Sequence, residues 1–269
     1  MITATKTIRY LRYVVDQWEE VDSSTIFETP VSLTVNSEVW LTFMCTPLDL
    51  EVMAVGFLFN EGVIDSYAEI ASVRLCASGD NVDIWLNHEA EKPIKWNRTS
   101  GCTGGFTAVD LEKHIKPITN GGMLEAKKVG DLIGKLFESQ KIYRSTGGVH
   151  TSVLSDGENI VISAEDIGRH NTLDKIAGKY LVEEIDLPQR IILSTGRISS
   201  EMLQKSARIE ASIVVSRTAP SGLAIDLAER YGITLIGYAR RNQFNLYTHP
   251  ERIIQSKYRI EHSYKAVAK

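Results

Sequence analysis

The sequence predicts a mixed α/β protein, α+β overall, with a β-rich domain over residues 1–122 and an α/β domain over residues 123–269. Three observations predict it. Apolar residues alternate or run in short blocks between positions 30 and 87, strand and helix patterns repeat between positions 190 and 238, and a Gly/Ser/Thr-rich stretch beginning near Lys95 separates the two textures.

In the first part, residues 30–45 hold two apolar runs around Asn36-Ser37, the pattern of a β-hairpin. A helix follows. Thr46 is placed to cap it, Pro47 suits its first position, and Asp49 favours its first turn. Leu50, Met53, Ala54, Phe57 and Leu58 recur at helical spacing as one buried stripe, and Gly62 is its stop. Residues 81–87 alternate, with Val82, Ile84 and Leu86 on one face and Asp83 and Trp85 on the other, so they read as a half-buried strand. Residues 97–107, NRTSGCTGGFT, have almost nothing to bury and read as a loop. Asn120-Gly121-Gly122 is a further break before a helix over 124–139.

The second part reads as α/β from Ile142 onward. Asn171 is placed to cap a helix whose Leu173, Ile176, Ala177, Tyr180 and Leu181 share a face. Strands over 190–193, 212–215 and 233–238 enclose helices over 199–209 and 220–231, the latter ended by Gly232. Such β-α-β-α-β order with short connections implies a parallel sheet covered by helices. Right-handed crossovers bring the strand-to-helix loops to one edge of it.

Composition narrows the function classes. Apolar residues make up 43% and charged residues 24% of 269, an ordinary globular balance. A net charge of −4 does not suit a protein built to coat nucleic acid or an anionic membrane. The longest apolar stretch, 52–59, is too short to span a bilayer, and residues 1–10 lack the apolar core of a signal peptide. Cys45, Cys76 and Cys102 form no CxxC and no even-numbered framework, which points to free thiols in a reducing compartment such as the cytoplasm.

Two features carry candidate chemistry. The first is the set of strand-end loops. Ser194-Thr195-Gly196-Arg197-Ile198-Ser199-Ser200, Ser216-Arg217-Thr218-Ala219-Pro220-Ser221 and Tyr238-Ala239-Arg240-Arg241-Asn242-Gln243 each bring hydroxyls or amides and arginine to the same edge. Two of them lead into helix N-termini, which favour anions, and arginine supplies forked donors for phosphate. Ligands of open α/β sheets bind at this edge. The set reads either as a site for a phosphate-bearing ligand, a nucleotide in the first instance, or as ordinary caps and a solvated rim. His150 and His170 carry a parallel ambiguity between acid/base or phosphate-donor groups and satisfied structural histidines. The second feature is Cys102. Cys45 and Cys76 end apolar runs, as buried inert thiols do, whereas Cys102 sits in the glycine-rich loop with Arg98 nearby. It is either a working thiolate or an incidental loop cysteine.

No metal is expected. The cysteine spacings match no structural zinc pattern. The only H-x-E is His249-Pro250-Glu251, with no cysteine after it, and Pro220 is followed by Ser221, Gly222, Leu223 and Ala224 rather than by C-x-x-C. A Walker A motif is also absent.

Taken together these residues resemble the formate dehydrogenase accessory sulfurtransferase family, FdhD. The resemblance runs through Thr46-Pro47, Gly56-Phe57-Leu58, Glu61-Gly62 and Ser100-Gly101-Cys102. It continues through Gly147-Gly148-Val149-His150, Glu165-Asp166-Ile167-Gly168-Arg169-His170-Asn171 and Leu173-Asp174-Lys175. Thr195-Gly196-Arg197, Ala219-Pro220-Ser221, Leu223-Ala224 and Asn245-Leu246-Tyr247-Thr248 complete it. GGVH followed by EDIGRHNTLDK is its most specific element. The resemblance implies that a cysteine desulfurase places a sulfane sulfur on Cys102 as a persulfide. The sulfur then passes to a molybdenum or tungsten bis-pterin guanine dinucleotide cofactor, Mo-bis(molybdopterin guanine dinucleotide) in the molybdenum case, before that cofactor enters formate dehydrogenase. The family's cofactor-binding stretch falls on Tyr238, Ala239, Arg240, Arg241, Asn242 and Gln243, with GDP as a minimal mimic. Arg197, Ser199, Arg217 and Ser221 are the further ligand candidates from the loops themselves. The resemblance also implies a three-layer α/β/α second domain of cytidine deaminase-like type lacking zinc.

One departure stands out. Many members carry CxxC in the loop, and here the second position is Gly105. Carriage of sulfur needs one acceptor thiol, so this departure weighs only against a mechanism that resolves the persulfide within the loop. Two alternatives stay open: a cofactor-binding chaperone of formate dehydrogenase without sulfur transfer, and a cysteine hydrolase with His150 or His170 as base. The sequence does not choose between a monomer and a homodimer.

Overall fold

The computed structural model describes residues 3–93 and 115–254, together with the backbone of 96–98 and 106–108. Cys102, Ser100, Gly101 and Gly105 lie outside the described residues. The chain opens with a long hairpin, β1 (Thr5–Val14) and β2 (Gln17–Ile26). Next come β3 (Thr29–Val35), β4 (Glu38–Cys45), α1 (Leu50–Asn60), β5 (Ile70–Leu75) and β6 (Asn81–Leu86), then the short antiparallel pair β7 (Trp96–Arg98) and β8 (Phe106–Ala108). The second part contains β9 (Leu124–Glu125), α2 (Ala126–Ser139), α3 (Ile142–Thr146), β10 (His150–Ser155), β11 (Ile160–Asp166) and α4 (Arg169–Val182). It closes with β12 (Ile191–Ser194), α5 (Ser200–Arg208), β13 (Ile213–Ser216), α6 (Gly222–Tyr231), β14 (Thr234–Gly237), β15 (Asn245–Leu246) and β16 (Ile253–Ile254).

Two sheets organise the molecule. The smaller has the order β4-β3-β6-β5, and the larger β11-β10-β12-β13-β14-β15. In the larger sheet β12, β13 and β14 are parallel, as the β-α-β-α-β pattern requires. β10, β11 and β15 join it antiparallel, so the sheet is mixed rather than purely parallel. The parallel strands are buried on both faces, which is why they read as unbroken apolar runs. Ile192, Val214 and Leu235 point into the core shared with α4, α5 and α6. Ile191, Leu193, Ile213, Val215 and Ile236 point the other way, onto Leu132, Ile133 and Leu136 of α2. Helices therefore cover both faces. Among the described residues no helix is long and apolar enough to cross a membrane.

The hairpin at Asn36-Ser37 forms as expected, with both residues at positive φ, 46° and 72°, the requirement of a two-residue hairpin turn. Strand β6 also follows its alternation, with Val82, Ile84 and Leu86 buried and Trp85 exposed.

Other expectations need correction. α1 starts at Leu50, and Asp49, not Thr46, occupies its N-cap position with no side-chain bond. Thr46 is fully buried instead, its Oγ1 accepting the Ile167 N–H at 3.1 Å. Asn171 does not cap α4, whose cap position is Gly168. Its amide donates to Asp166 Oδ1 and Met44 O at 2.8 and 3.0 Å. The helix expected over 124–139 begins at Ala126, because Leu124–Glu125 pairs in parallel with Ile253–Ile254. Positions 96–98 and 106–108 pair as strands, so the expected loop over 97–107 is shorter.

α1 is also buried more completely than one stripe predicts: Leu50 and every residue from Met53 to Asn60 are buried. The cause is cover on two sides, since α1 lies between the smaller sheet and α4, with Phe57 edge-on to Phe43 of β4 at 5.0 Å. Where α1 crosses α4, glycines face each other. A Cβ on Gly178 would lie 1.7 Å from the Val52 carbonyl oxygen, and one on Gly56 1.8 Å from that of Asp174. Only hydrogen fits between these backbones. Gly178→Ala is accordingly expected to lower the free energy of unfolding by about 3 kcal/mol, the upper end of overpacking costs. Urea denaturation of the two proteins in parallel checks it, and unchanged midpoints would mean that the helices separate at little cost.

Candidate functional site

The parallel strands β12, β13 and β14 end in three loops that hydrogen-bond to one another. The Arg217 N–H donates to Ser194 O at 3.1 Å, Tyr238 N–H to Thr218 O at 3.0 Å, and Ala239 N–H to Ser216 O at 2.9 Å. Ser216 Oγ donates to Gly196 O at 2.7 Å. The loops thus form one rigid rim at the carboxyl edge of the sheet. A cleft of about 510 Å³ opens there, within the range of small-molecule sites. Thr195, Arg217, Thr218 and Arg240 line it from the rim, and Gly147-Gly148-Val149-His150 and Tyr143 line it from the opposite side.

Its electrostatics are lopsided. Arg240 Nη1 donates to the carbonyl oxygens of Arg217 and Ala239, at 2.5 and 2.9 Å. The Arg217 guanidinium lies over the Phe137 ring, 4.6 Å from its centre, a cation–π contact. Burial and then the neighbouring Arg240 push the Arg217 pKa down. Among the described residues neither guanidinium forms a salt bridge with a carboxylate. The cleft therefore carries two close positive charges with no carboxylate counterion among the described residues.

His150 stands at the edge of this cleft, its Nδ1 3.4 Å from Thr195 Oγ1. Burial lowers its pKa, and Arg169 and Arg197 lower it further against the pull of Asp166. His170 lies deeper, with Nε2 3.5 Å from Ser199 Oγ. Burial, then Arg169, Lys205 and His150, hold its pKa well below the ordinary histidine value. Both rings are neutral near pH 7. Gly196 passes close to Arg169 and His150: a Cβ there would come within 3.1 Å of Arg169 and 3.4 Å of His150 Nδ1.

The sequence-derived candidates divide in space. Arg217 and Arg240 enter the cleft. Ser199 and Ser221 cap α5 and α6, accepting the Met202 and Ala224 N–H groups. Arg197 and Tyr238 are exposed on the rim, Tyr238 at φ 51°, and Ala239 is fully buried. Arg241 lines a separate groove along α2 with Lys128 and Lys135, while Asn242 and Gln243 are exposed outside the cleft lining. Phe137, Gln140 and Tyr143 were not singled out in the sequence. Nothing in their spacing marks them, because the end of α2 and the start of α3 reach the strand ends only through the three-dimensional path of the chain.

Glu165 fixes that path. Its carboxylate accepts the N–H groups of Lys141, Ile142 and Tyr143 at 2.8, 2.8 and 2.9 Å, anchoring the start of α3. Ile167 of the EDIGRHNTLDK block also lines the cleft, and its Asp166, Asn171, Thr172, Asp174 and Lys175 are buried. Asp166 accepts from Thr46 N–H, Gly168 N–H, Asn171 and Lys175. Among the described residues no group of three or more His, Cys, Asp or Glu is placed to hold a metal ion.

The model of the FdhD/NarQ family matches residues 26–254. The chain is 33% identical over 238 residues to proteins named sulfur carrier protein FdhD from Staphylococcus aureus strains MRSA252 and Newman, covering 86% of this chain and 90% of theirs. A crystal structure of a protein described as a formate dehydrogenase accessory protein from Desulfotalea psychrophila superposes with a TM-score of 0.81 at 28% identity. The overlap covers 94% of this chain and 100% of that one.

The two depressed histidines set a pH dependence. Below the unfolded-state value of about 6.5 the unfolded chain takes up protons that the folded chain refuses, so stability falls as pH falls through that window. Each histidine contributes at most about 1.4 kcal/mol per pH unit. Stability measured by urea denaturation from pH 7.5 to 5.5 should decline, and the slope should be shallower in His170→Asn. An equal slope in the two proteins would mean that His170 is protonated in the fold.

Proposed function

The chain belongs to the FdhD/NarQ family, and on that premise we propose that it is a cytoplasmic sulfur carrier serving formate dehydrogenase. In this reading Cys102 receives sulfur from a cysteine desulfurase, and the cleft at the strand ends holds the recipient, a molybdenum or tungsten bis-pterin guanine dinucleotide cofactor. The observation that carries the proposal is the Arg217–Arg240 pair, two adjacent guanidiniums lining a cleft with no carboxylate partner among the described residues. A phosphate-bearing ligand is the complement of such a pair. Thr195 and Thr218 add hydroxyls, and Phe137 and Tyr143 an aromatic wall, which suits a nucleotide with a flat base.

The loading step is a thiol–persulfide exchange. The Cys102 thiolate attacks the outer sulfur of the desulfurase persulfide, a new S–S bond forms, and the desulfurase cysteine leaves as thiolate. Delivery would break that S–S bond, leaving the bonding pair on the Cys102 thiolate, and the recipient cofactor's metal would supply the two electrons that take the sulfane sulfur to sulfide. The other two cysteines are poorly suited to this work. Burial, with Asp166 adding to it, pushes the Cys45 thiol up to about 12, so it is protonated and inert. Cys76 Sγ is held in its own turn, 3.1 Å from Asp80 Oδ1 and accepting the Asn81 N–H at 3.2 Å.

Incubation with a desulfurase and cysteine, followed by mass spectrometry, should add one sulfur to Cys102. Cys102→Ser should lose that sulfur and formate dehydrogenase maturation, while Cys45→Ala and Cys76→Ala keep both. Normal maturation with Cys102→Ser would sink sulfur carriage and leave the cofactor-binding chaperone. For the cleft, GDP is the probe. Arg217→Met and Arg240→Met should each weaken GDP binding ten- to a hundredfold, since a charge-assisted bond contributes roughly 1.5–3 kcal/mol. Arg241→Met, altering a side chain outside the cleft, should change it less than about threefold. A reversed order would move the site to the groove along α2.

A further inference from the structure

A second concave feature lies at the opposite edge of the larger sheet. β12 and β13 are four residues long, so their amino ends stand about 13 Å from the rim of the cleft. Arg190 and Ser212 immediately precede these two strands, and the Ser212 N–H donates to Arg190 O at 3.0 Å. The Asn120-Gly121-Gly122 break lies against them. A Cβ on Gly121 would stand 2.6 Å from Ser212 Cβ, and one on Gly122 2.5 Å from Gln189 Cδ. The paired glycines therefore let the chain approach where a side chain would collide. Between these segments is a pocket of about 220 Å³, lined by Lys116, Gly121, Gln189, Arg190, Glu210 and Ser212 among others. It is smaller than the ~300–1,000 Å³ of sites for drug-sized molecules. A small ion is the guest it suits.

Hydrogen-bonding capacity is left over around this pocket. Ser212 is only 2% exposed, and its Oγ has no hydrogen-bond partner among the described residues. The same holds for Gln189 Nε2 and Arg190 Nε. Buried polar groups in folded proteins are nearly always paired. Three orphans that border one small pocket share a single remedy, and all three can donate. The charge balance has the matching sign. Lys116 and Arg190 line the pocket, and Arg252 lies behind Gly121, its Nε 2.5 Å from where a Cβ would stand. Arg252 donates to Ile118 O and Thr234 Oγ1, both neutral. Glu210 is the one carboxylate in the lining. It is mostly exposed and accepts from Arg190 Nη1 at 2.6 Å, while the Arg190 guanidinium lies over the Tyr180 ring at 5.4 Å. Three cations thus stand around the pocket against one carboxylate.

We infer that this pocket is a binding site for a small tetrahedral oxyanion, phosphate or sulfate, held by Lys116, Gln189, Arg190 and Ser212. These donors come from three separate stretches of chain: position 116, the residues before β12 and the residue before β13. Donors that approach from several directions match a tetrahedral ion better than a planar carboxylate. The bound ion would tie the stretch around Lys116 and Gly121 to the starts of two core strands, and so stabilise the fold by mass action. No lining residue is shared with the cleft at the carboxyl edge. The inference is independent of the sulfur-carrier reading.

Inorganic phosphate is the probe. The full chain carrying Arg217→Met and Arg240→Met, which disables the cleft, should bind it with a Kd of about 1 mM or below by calorimetry at constant ionic strength. Its melting temperature should rise with phosphate and not with chloride. Lys116 is exposed, so Lys116→Met leaves the packing intact, and this change or Ser212→Ala should weaken binding about tenfold. Glu210→Gln removes the carboxylate beside Arg190 and should tighten binding by about threefold, a gain that a misfolded variant would not mimic. In crystals of the wild-type chain, soaked selenate should give an anomalous peak within hydrogen-bond distance of Ser212 Oγ. The inference is overturned if the cleft-disabled chain binds no phosphate up to about 10 mM, as it would where water alone meets these donors. It is overturned equally if the three pocket variants leave the Kd unchanged, or if selenate is absent from the pocket.

Discussion

Two buried lysines hold the halves of this protein together. Lys175 of α4 is fully buried, and its ammonium donates to Asp166 Oδ2 at 2.7 Å and to the carbonyl oxygens of Thr46 and Glu165 at 3.2 Å. Lys205 of α5 lies 2.6 Å from Asp174 Oδ1 and 3.3 Å from Glu61 Oε1, over the ring of Phe57 at 5.3 Å. Burial alone would strip the Lys205 proton, but Asp174 and Glu61 outweigh it and raise its pKa. Asn60 completes the set by donating to Asp174 at 2.8 Å. Each ion reaches across an element boundary, to the end of α1 or to the loop before it. Such pairs add little net stability over an apolar core, but breaking one strands a buried charge at a cost of about 3–5 kcal/mol. They therefore act less as glue than as register pins. α1 and α4 can approach at their glycines only where these ions also meet.

That register determines the cleft. Asp166 binds Thr46 from the first part and caps the turn into α4, and the adjacent Glu165 binds the start of α3. One dipeptide at the end of β11 thus fixes both the docking of the first part and the position of Tyr143. Arg169 and His170 follow it in the first turn of α4, with Arg169 packed against the loop at Gly196.

Much of this fold was legible because it follows from local rules. The apolar runs of β12, β13 and β14, Ser199 and Ser221 before α5 and α6, and Gly232 at positive φ are local signals, and each element lies within a few residues of its expected place. The convergence of the three loops followed from right-handed crossovers. What could not be read was whatever depends on distant partners. Thr46 and Asn171 look like caps in sequence, and both bind across the junction of the two parts instead. The EDIGRHNTLDK block is the most specific mark of the family resemblance, and its Asp, Asn, Thr and Lys are interior scaffold. Phe137 and Tyr143 carry no signal at all. The β1–β2 ribbon also escaped notice, since neither face of it is buried along its outer half and no apolar alternation marks it.

The treatment of positive charge separates scaffold from site. Lys175 and Lys205 each sit against carboxylates, and Arg208 donates to the carbonyls of Phe59 and Ile64 and to Asp65. These three cations meet carboxylates, whereas the buried Arg252 is held by the Ile118 carbonyl and the Thr234 hydroxyl. Arg217 and Arg240 break that pattern: they are half-buried, mutually repelling, and satisfied only by an aromatic ring and by carbonyl dipoles. Unlike Lys175, Lys205 and Arg208, these two have no carboxylate partner among the described residues. Their repulsion is relieved only when an anion enters, and the relief adds to the affinity for that anion. The same pair would be a defect in a purely structural loop. At the carboxyl edge of a parallel sheet, beside His150 and the glycines before it, it is the feature on which the proposed phosphate-binding reading rests.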